Sequence, residues 1–160
     1  MIPEETVCLN FGIGQERDRG NMNVDFAFIC DHAQAGDKIN ALGIGFERIS
    51  TSQIPVRHPH FSVVAQLRFN RIEVGTKDIR ANLIDDDGAD VISPISGQLV
   101  IQEPPYGTSE VSARLVMEFN NVEFRKCGDY SVRINVAGQE AANIHLAVSP
   151  PASKVLGGNR

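Results

Sequence analysis

Three short stretches carry residue types that could do chemistry. Asp85-Asp86-Asp87, with Asp90 close behind, is the densest acidic cluster. Several carboxylates on one loop can hold a hard cation such as Ca²⁺. The stretch lacks the D-x-[DN]-x-[DN]-G-x5-E arrangement, so its ordinary reading is a solvated hairpin turn. His58-Pro59-His60 sets two imidazoles two residues apart. In an extended segment both face one side and could share a metal. A third ligand would come from Asp31, His32 or His145; the competing reading is a loop entering a strand at His60. Cys30-Asp31-His32 puts a thiol and an imidazole on one strand face, as in a Cys–His nucleophile pair. Against this, Cys30 continues the apolar series Val24, Phe26, Phe28, the pattern of a buried structural thiol. The metal-ligand candidates are thus His58, His60, Asp31, His32, Asp85 and Asp87. No catalytic or cofactor-binding residue is assigned, and no cofactor is expected.

Other patterns are weaker. Gly12-Ile13-Gly14 and Gly43-Ile44-Gly45 resemble the start of a dinucleotide fingerprint, but Arg17 and Arg48 stand where the third glycine belongs, and no helix follows. There is no G-x-S-x-G elbow, H-E-x-x-H pair or P-loop. Tyr106, between Pro105 and Gly107, is the best candidate for an exposed aromatic.

The elements that must position these residues are strands. Phe61, Val63, Ala65, Leu67 and Phe69 alternate with Ser62, Val64, Gln66, Arg68 and Asn70. The first set is expected to face a core and the second to face outward. The same alternation runs through Val111–Phe119 and Tyr130–Val136, and through shorter stretches at Ile79–Leu83 and Ile95–Ile101. No long segment has the i, i+3, i+4, i+7 spacing of an amphipathic helix. Val24–Asp31 is almost continuously apolar, which predicts burial on both faces or a central position. Lys38–Ile49 is expected as one strand, weakened at Gly43 and Gly45, and Asn143–Val148 as the last. Asp86-Asp87-Gly88 reads as a tight turn. Gly128-Asp129-Tyr130 has the form of a tyrosine corner, in which the hydroxyl ties down a loop.

The predicted fold is an all-β, two-sheet antiparallel sandwich of about eight strands, immunoglobulin-like or jelly-roll-like. Residues 1–22 form an N-terminal extension, with Met22 as an alternative start; 23–148 form the domain; 149–160 form a flexible tail. A chain of 160 residues suits one domain. The formal charge of −5 repels phosphate backbones and argues against nucleic acid. No apolar run reaches the roughly 20 residues of a membrane helix. Cys8, Cys30 and Cys127 are odd in number and lack C-x-x-C spacing, which suits reduced thiols in the cytoplasm.

Val24-Asp25-Phe26-Ala27-Phe28-Ile29-Cys30-Asp31 followed by Leu42-Gly43-Ile44-Gly45-Phe46 resembles the opening of a bacterial family of small uncharacterised β-sandwich proteins. Leu67-Arg68-Phe69, Leu83-Ile84-Asp85-Asp86-Asp87-Gly88 and Gly128–Val136 extend the resemblance over about residues 23–148. It implies a fold and no mechanism. The expected function is therefore a non-catalytic binding or protein-interaction module. Its partner would be a protein or a second copy meeting an edge strand, with Val64 and Val116 as exposed apolar residues on polar faces. The alternative is a metal-dependent protein or enzyme using a His/Asp cluster at a sandwich end or edge.

Overall fold

The computed structural model describes residues 22–152. The expectations placed on residues 1–21 and 153–160 lie outside the described residues. Ten strands follow in order: β1 Asn23–Cys30, β2 His32–Ala35, β3 Ile39–Leu42, β4 Arg48–Ser50, β5 Val56–Asn70, β6 Gly75–Ile84, β7 Ile95–Ile101, β8 Glu110–Phe124, β9 Gly128–Val136 and β10 Gln139–Ser149. A 3-10 turn, Arg71–Glu73, joins β5 to β6. The described residues are all-β, in a three-stranded sheet β1-β5-β8, a five-stranded sheet β4-β10-β9-β6-β7 and a two-stranded β2-β3 hairpin. β4 runs parallel to β10, which corrects the expectation of a purely antiparallel arrangement.

The main core draws on both larger sheets. Phe61, Val63, Ala65, Leu67 and Phe69 of β5 share one buried cluster with Val132, Ile134 and Val136 of β9 and Leu146 and Val148 of β10. Phe61 stacks on Phe119 at 4.9 Å between ring centroids. Burying a side chain of this size contributes about 1.5–3 kcal/mol.

β5 and β8 pair along their whole length, from Val56↔Phe124 to Asn70↔Glu110. The inward phase changes partway. Phe61 and Phe119 point into the core, but so do Val122 and Phe124 beyond them, a spacing that breaks strict alternation. Asn121 sits at φ 51° and absorbs the change. The sequence pattern therefore predicted only the upper half of each strand, Phe61–Phe69 and Val111–Phe119.

Three expectations are corrected here. β1 is an edge strand paired only to β5, not a central one. Its register shifts between Val24 and Phe26. Ala27 and Ile29 face the main core, while Phe28 and Cys30 face the other side. The doubly buried strand is β5, where Phe61 through Ala65 are all inaccessible. Secondly, Lys38–Ile49 is two strands in two sheets. Gly43 at φ 70° and Gly45 at φ 90° turn the chain between them. A Cβ at Gly43 would collide with the Asp31 carboxylate. Thirdly, Val64 is fully buried and Val116 half-buried, because the β2-β3 hairpin lies over them. Ala33, Cys30 and Val64 form a second small cluster beneath it, with Phe28, Ile39 and Ala41 packed alongside.

Candidate functional site

The acidic turn is closed on itself. Asp85 Oδ1 accepts the N–H groups of Asp87 at 3.0 Å and Ala89 at 2.9 Å. Gly88 takes φ 81° to complete the turn, and its N–H reaches the Asp85 carbonyl at 3.0 Å. Lys126 Nζ lies 3.5, 2.6 and 2.8 Å from Asp85, Asp86 and Asp87. One carboxylate oxygen from each aspartate can meet at a shared point, all within 4.8 Å of one another. The cation that stands among them is the lysine's own ammonium. Hydrogen bonds to Asp86 and then Asp87 push the Lys126 pKa up. The Ala89 N–H, ahead of Lys126, holds Asp85 below the usual carboxylate range. Asp90 is drawn aside, accepting from Asn82 Nδ2 at 2.8 Å. Below the turn, the Tyr130 hydroxyl donates to the Lys126 carbonyl at 2.7 Å, and its ring meets Phe124 edge-on at 4.9 Å. The tyrosine tie expected from Gly128-Asp129-Tyr130 is present, and it fixes the segment that carries Lys126.

Three of the four histidines gather at the other end of β5. His32 and His60 ring centroids are 5.9 Å apart, and His58 lies against Phe46 at 5.3 Å and Phe61 at 5.9 Å. Three of their ring nitrogens have local partners, one on His58 and both on His60. His58 Nε2 donates to the His60 carbonyl at 3.1 Å. His60 Nδ1 donates to Asn120 Oδ1 at 2.8 Å, leaving Nε2 to accept from the buried Ser62 hydroxyl at 3.3 Å. This network satisfies a hydroxyl sealed under the hairpin. Burial pushes the His58 pKa down, ahead of the opposing His60 carbonyl. Asp31 is exposed and packs on Gly43. Among the described residues, no three ligand atoms drawn from Asp31, His32, His58 and His60 fall within 4.8 Å of one another. His145 is on the five-stranded sheet, its Nε2 2.8 Å from Asp129. Cys30 is fully buried; its thiol donates to the His32 carbonyl at 3.5 Å, not to a ring nitrogen. Burial raises its pKa, so the thiolate a nucleophile needs is disfavoured.

The unsatisfied surface lies elsewhere and is apolar. Between the outer face of β1 and the hairpin runs an open groove of about 650 Å³, floored by Phe26, Phe28, Ile39 and Ala41 and walled by Leu42 and Ile44. Leu42 is 70% exposed, Ile44 62% and Phe26 38%. Phe26 and Phe28 stack at 5.8 Å. Among the described residues, the only ionic contact made by β1 is that of Asp25, whose carboxylate meets Arg68 at 2.7 Å and accepts from Gln66 at 2.9 Å. The free edge of β1 borders this groove, with backbone groups that no other strand bonds among the described residues. Sequence reading missed the site because Phe26 and Phe28 were counted as core. The available signal was Leu42-Gly43-Ile44, two large apolar residues flanking a glycine turn, where polar residues are usual.

Fold and site together define an all-β domain with an apolar groove beside an open strand edge. The model of a family of unknown function (DUF6941) matches residues 25–149, and the chain belongs to that family. No curated protein matches it. Among the described residues no helix is long and apolar enough to cross a membrane.

Proposed function

We propose that this domain is a non-catalytic protein-binding module that takes an extended, apolar-patterned segment along β1. The observation that carries the reading is the coincidence of an unpaired strand edge with an exposed apolar groove on the same strand. Strand addition supplies affinity through main-chain hydrogen bonds, and pockets for alternate side chains supply selectivity. An open edge flanked by exposed Phe26, Leu42 and Ile44 is otherwise a liability that proteins suppress. β8 shows that suppression, carrying Glu110, Arg114, Glu118 and Glu123. The same reading takes the three- and five-stranded sheets as the layers of a sandwich, supported by the one core they share. The free thiols Cys30 and Cys127 support a reducing compartment.

Selection of displayed peptides on the immobilised domain tests the function. Alternating apolar sequences should be enriched on the unaltered chain and lost on a Phe26→Asp, Leu42→Asp variant of equal thermal stability. Enrichment that survives both substitutions removes the reading.

A further inference from the structure

Two strand edges border the groove. Among the described residues, β3 is bonded to β2 alone and has 4 residues, and β1 is bonded to β5 alone and has 8. The β1 stretch Phe26–Cys30 carries no charge. Phe26 and Phe28 stand on its groove face, and Ala27 and Ile29 face the core. β1 is therefore itself an extended, apolar-patterned segment, of the kind the groove is proposed to take. The polar residues of the groove are His32, Gln34 and Asn40, all exposed. Each of these side chains offers both a donor and an acceptor, so each can hydrogen-bond to a copy of itself. No described residue lining the groove is a carboxylate, a lysine or an arginine, on a chain whose formal charge is −5.

We propose that the groove's partner is a second copy of this chain, its β1 lying antiparallel to the first β1 about a two-fold axis; the proposal rests on the binding-module reading. A two-fold interface sets one patch against the same patch of the other copy, so the patch must be self-complementary. Like charges directly opposite one another destabilise a strand pair. Net charge of one sign keeps copies apart, and the groove face is where two of them can meet without opposing carboxylates. The edge of β8 lacks this property, because Glu110, Glu118 and Glu123 would confront their own copies. β7 is uncharged, and Val100 is its one large exposed apolar side chain. The residues of β3 span about 13 Å when extended and those of β1 about 26 Å, so β1 offers the longer ladder. In the pair, Phe26 and Phe28 of the two copies come within cross-strand reach, and Leu42 and Ile44 of each copy wall the shared apolar face. The two three-stranded sheets become one continuous sheet, and the open β1 edge of both copies is removed at once.

Sedimentation velocity on the full chain over about a hundredfold range of concentration tests this. The unaltered chain should pass from monomer to dimer. Phe26→Asp and Phe26→Lys should each weaken the dimer about tenfold or more, with unchanged urea midpoints as the control for folding. Mixed in equal amounts, the two variants should form a heterodimer at least about tenfold tighter than either forms alone, because a two-fold axis brings both substituted positions onto one face of the joined sheet. A peptide selected on the domain should dissociate the dimer of the unaltered chain. A strict monomer, a dimer indifferent to both substitutions, or variants that stay monomeric when mixed overturns the proposal. A monomeric unaltered chain that still enriches alternating apolar peptides removes the second copy alone. A monomeric chain that enriches none removes the binding-module reading as well.

Discussion

The acidic turn and the β1 groove are opposites in what their residues leave unsatisfied. Asp85, Asp86 and Asp87 look like a ligand site in sequence, yet they are answered by backbone N–H groups and by Lys126. Phe26, Leu42 and Ile44 look like ordinary core residues, yet they stand in the open beside a strand with free backbone groups. Charge is conspicuous in a sequence and is usually paired in a fold. Exposed apolar surface is inconspicuous in a sequence and is the costlier feature to leave uncovered.

Substitutions can break or sharpen that contrast. The largest effect belongs to the core, with which the groove must differ. Phe61→Ala should cost about 3–5 kcal/mol of unfolding free energy, whereas Phe26→Ala should cost less than about 1 kcal/mol. Urea titration of both variants checks this, and equal costs would mean that Phe26 is a core residue. Removing the hydroxyl in Tyr130→Phe should cost about 1 kcal/mol, because the Lys126 carbonyl loses its donor. That variant should also loosen Lys126 from the turn, visible as a changed Nζ resonance.

The histidine end gives a pH dependence of known sign. Burial lowers the His58 pKa in the folded state, so the unfolded chain binds the proton more readily. The full stability is present above the unfolded value of about 6.5 and is lost as pH falls from there through the folded pKa. Urea midpoints at pH 7.5 and 5.5 should differ more in the unaltered chain than in His58→Gln. The smallest effect concerns the turn. Added Ca²⁺ should leave the thermal midpoint of the unaltered protein unchanged, because Lys126 already answers the carboxylates. In Lys126→Met the three aspartates lose that cation, and Ca²⁺ should raise the midpoint. A rise of equal size in the unaltered protein would show that the ammonium does not close the site.

The alternation of β5, β6, β8 and β9 was legible because one face of each meets a single large core, and so was the turn at Asp85–Gly88. The rest depended on contacts remote in sequence. Val64 and Ser62 sit on the polar phase of β5, and nothing local reveals that a hairpin from residues 32–42 will cover them. The apolar run of β1 has two destinations, the core for Ala27 and Ile29 and the groove for Phe26 and Phe28, and a run of apolar residues does not distinguish them. The phase change at Asn121 hides Val122 and Phe124 from any strict period of two. The histidines were recognisable as a group, but their commitment to Asn120, Ser62 and a carbonyl follows from pairing β5 with β8.

The most direct test is the affinity of one selected peptide for the unaltered chain and for Phe26→Asp, with both shown to unfold at the same urea midpoint. A buried apolar anchor replaced by a carboxylate should weaken binding by roughly a hundredfold or more, leaving the fold intact. Equal affinities would place the partner somewhere other than the β1 groove.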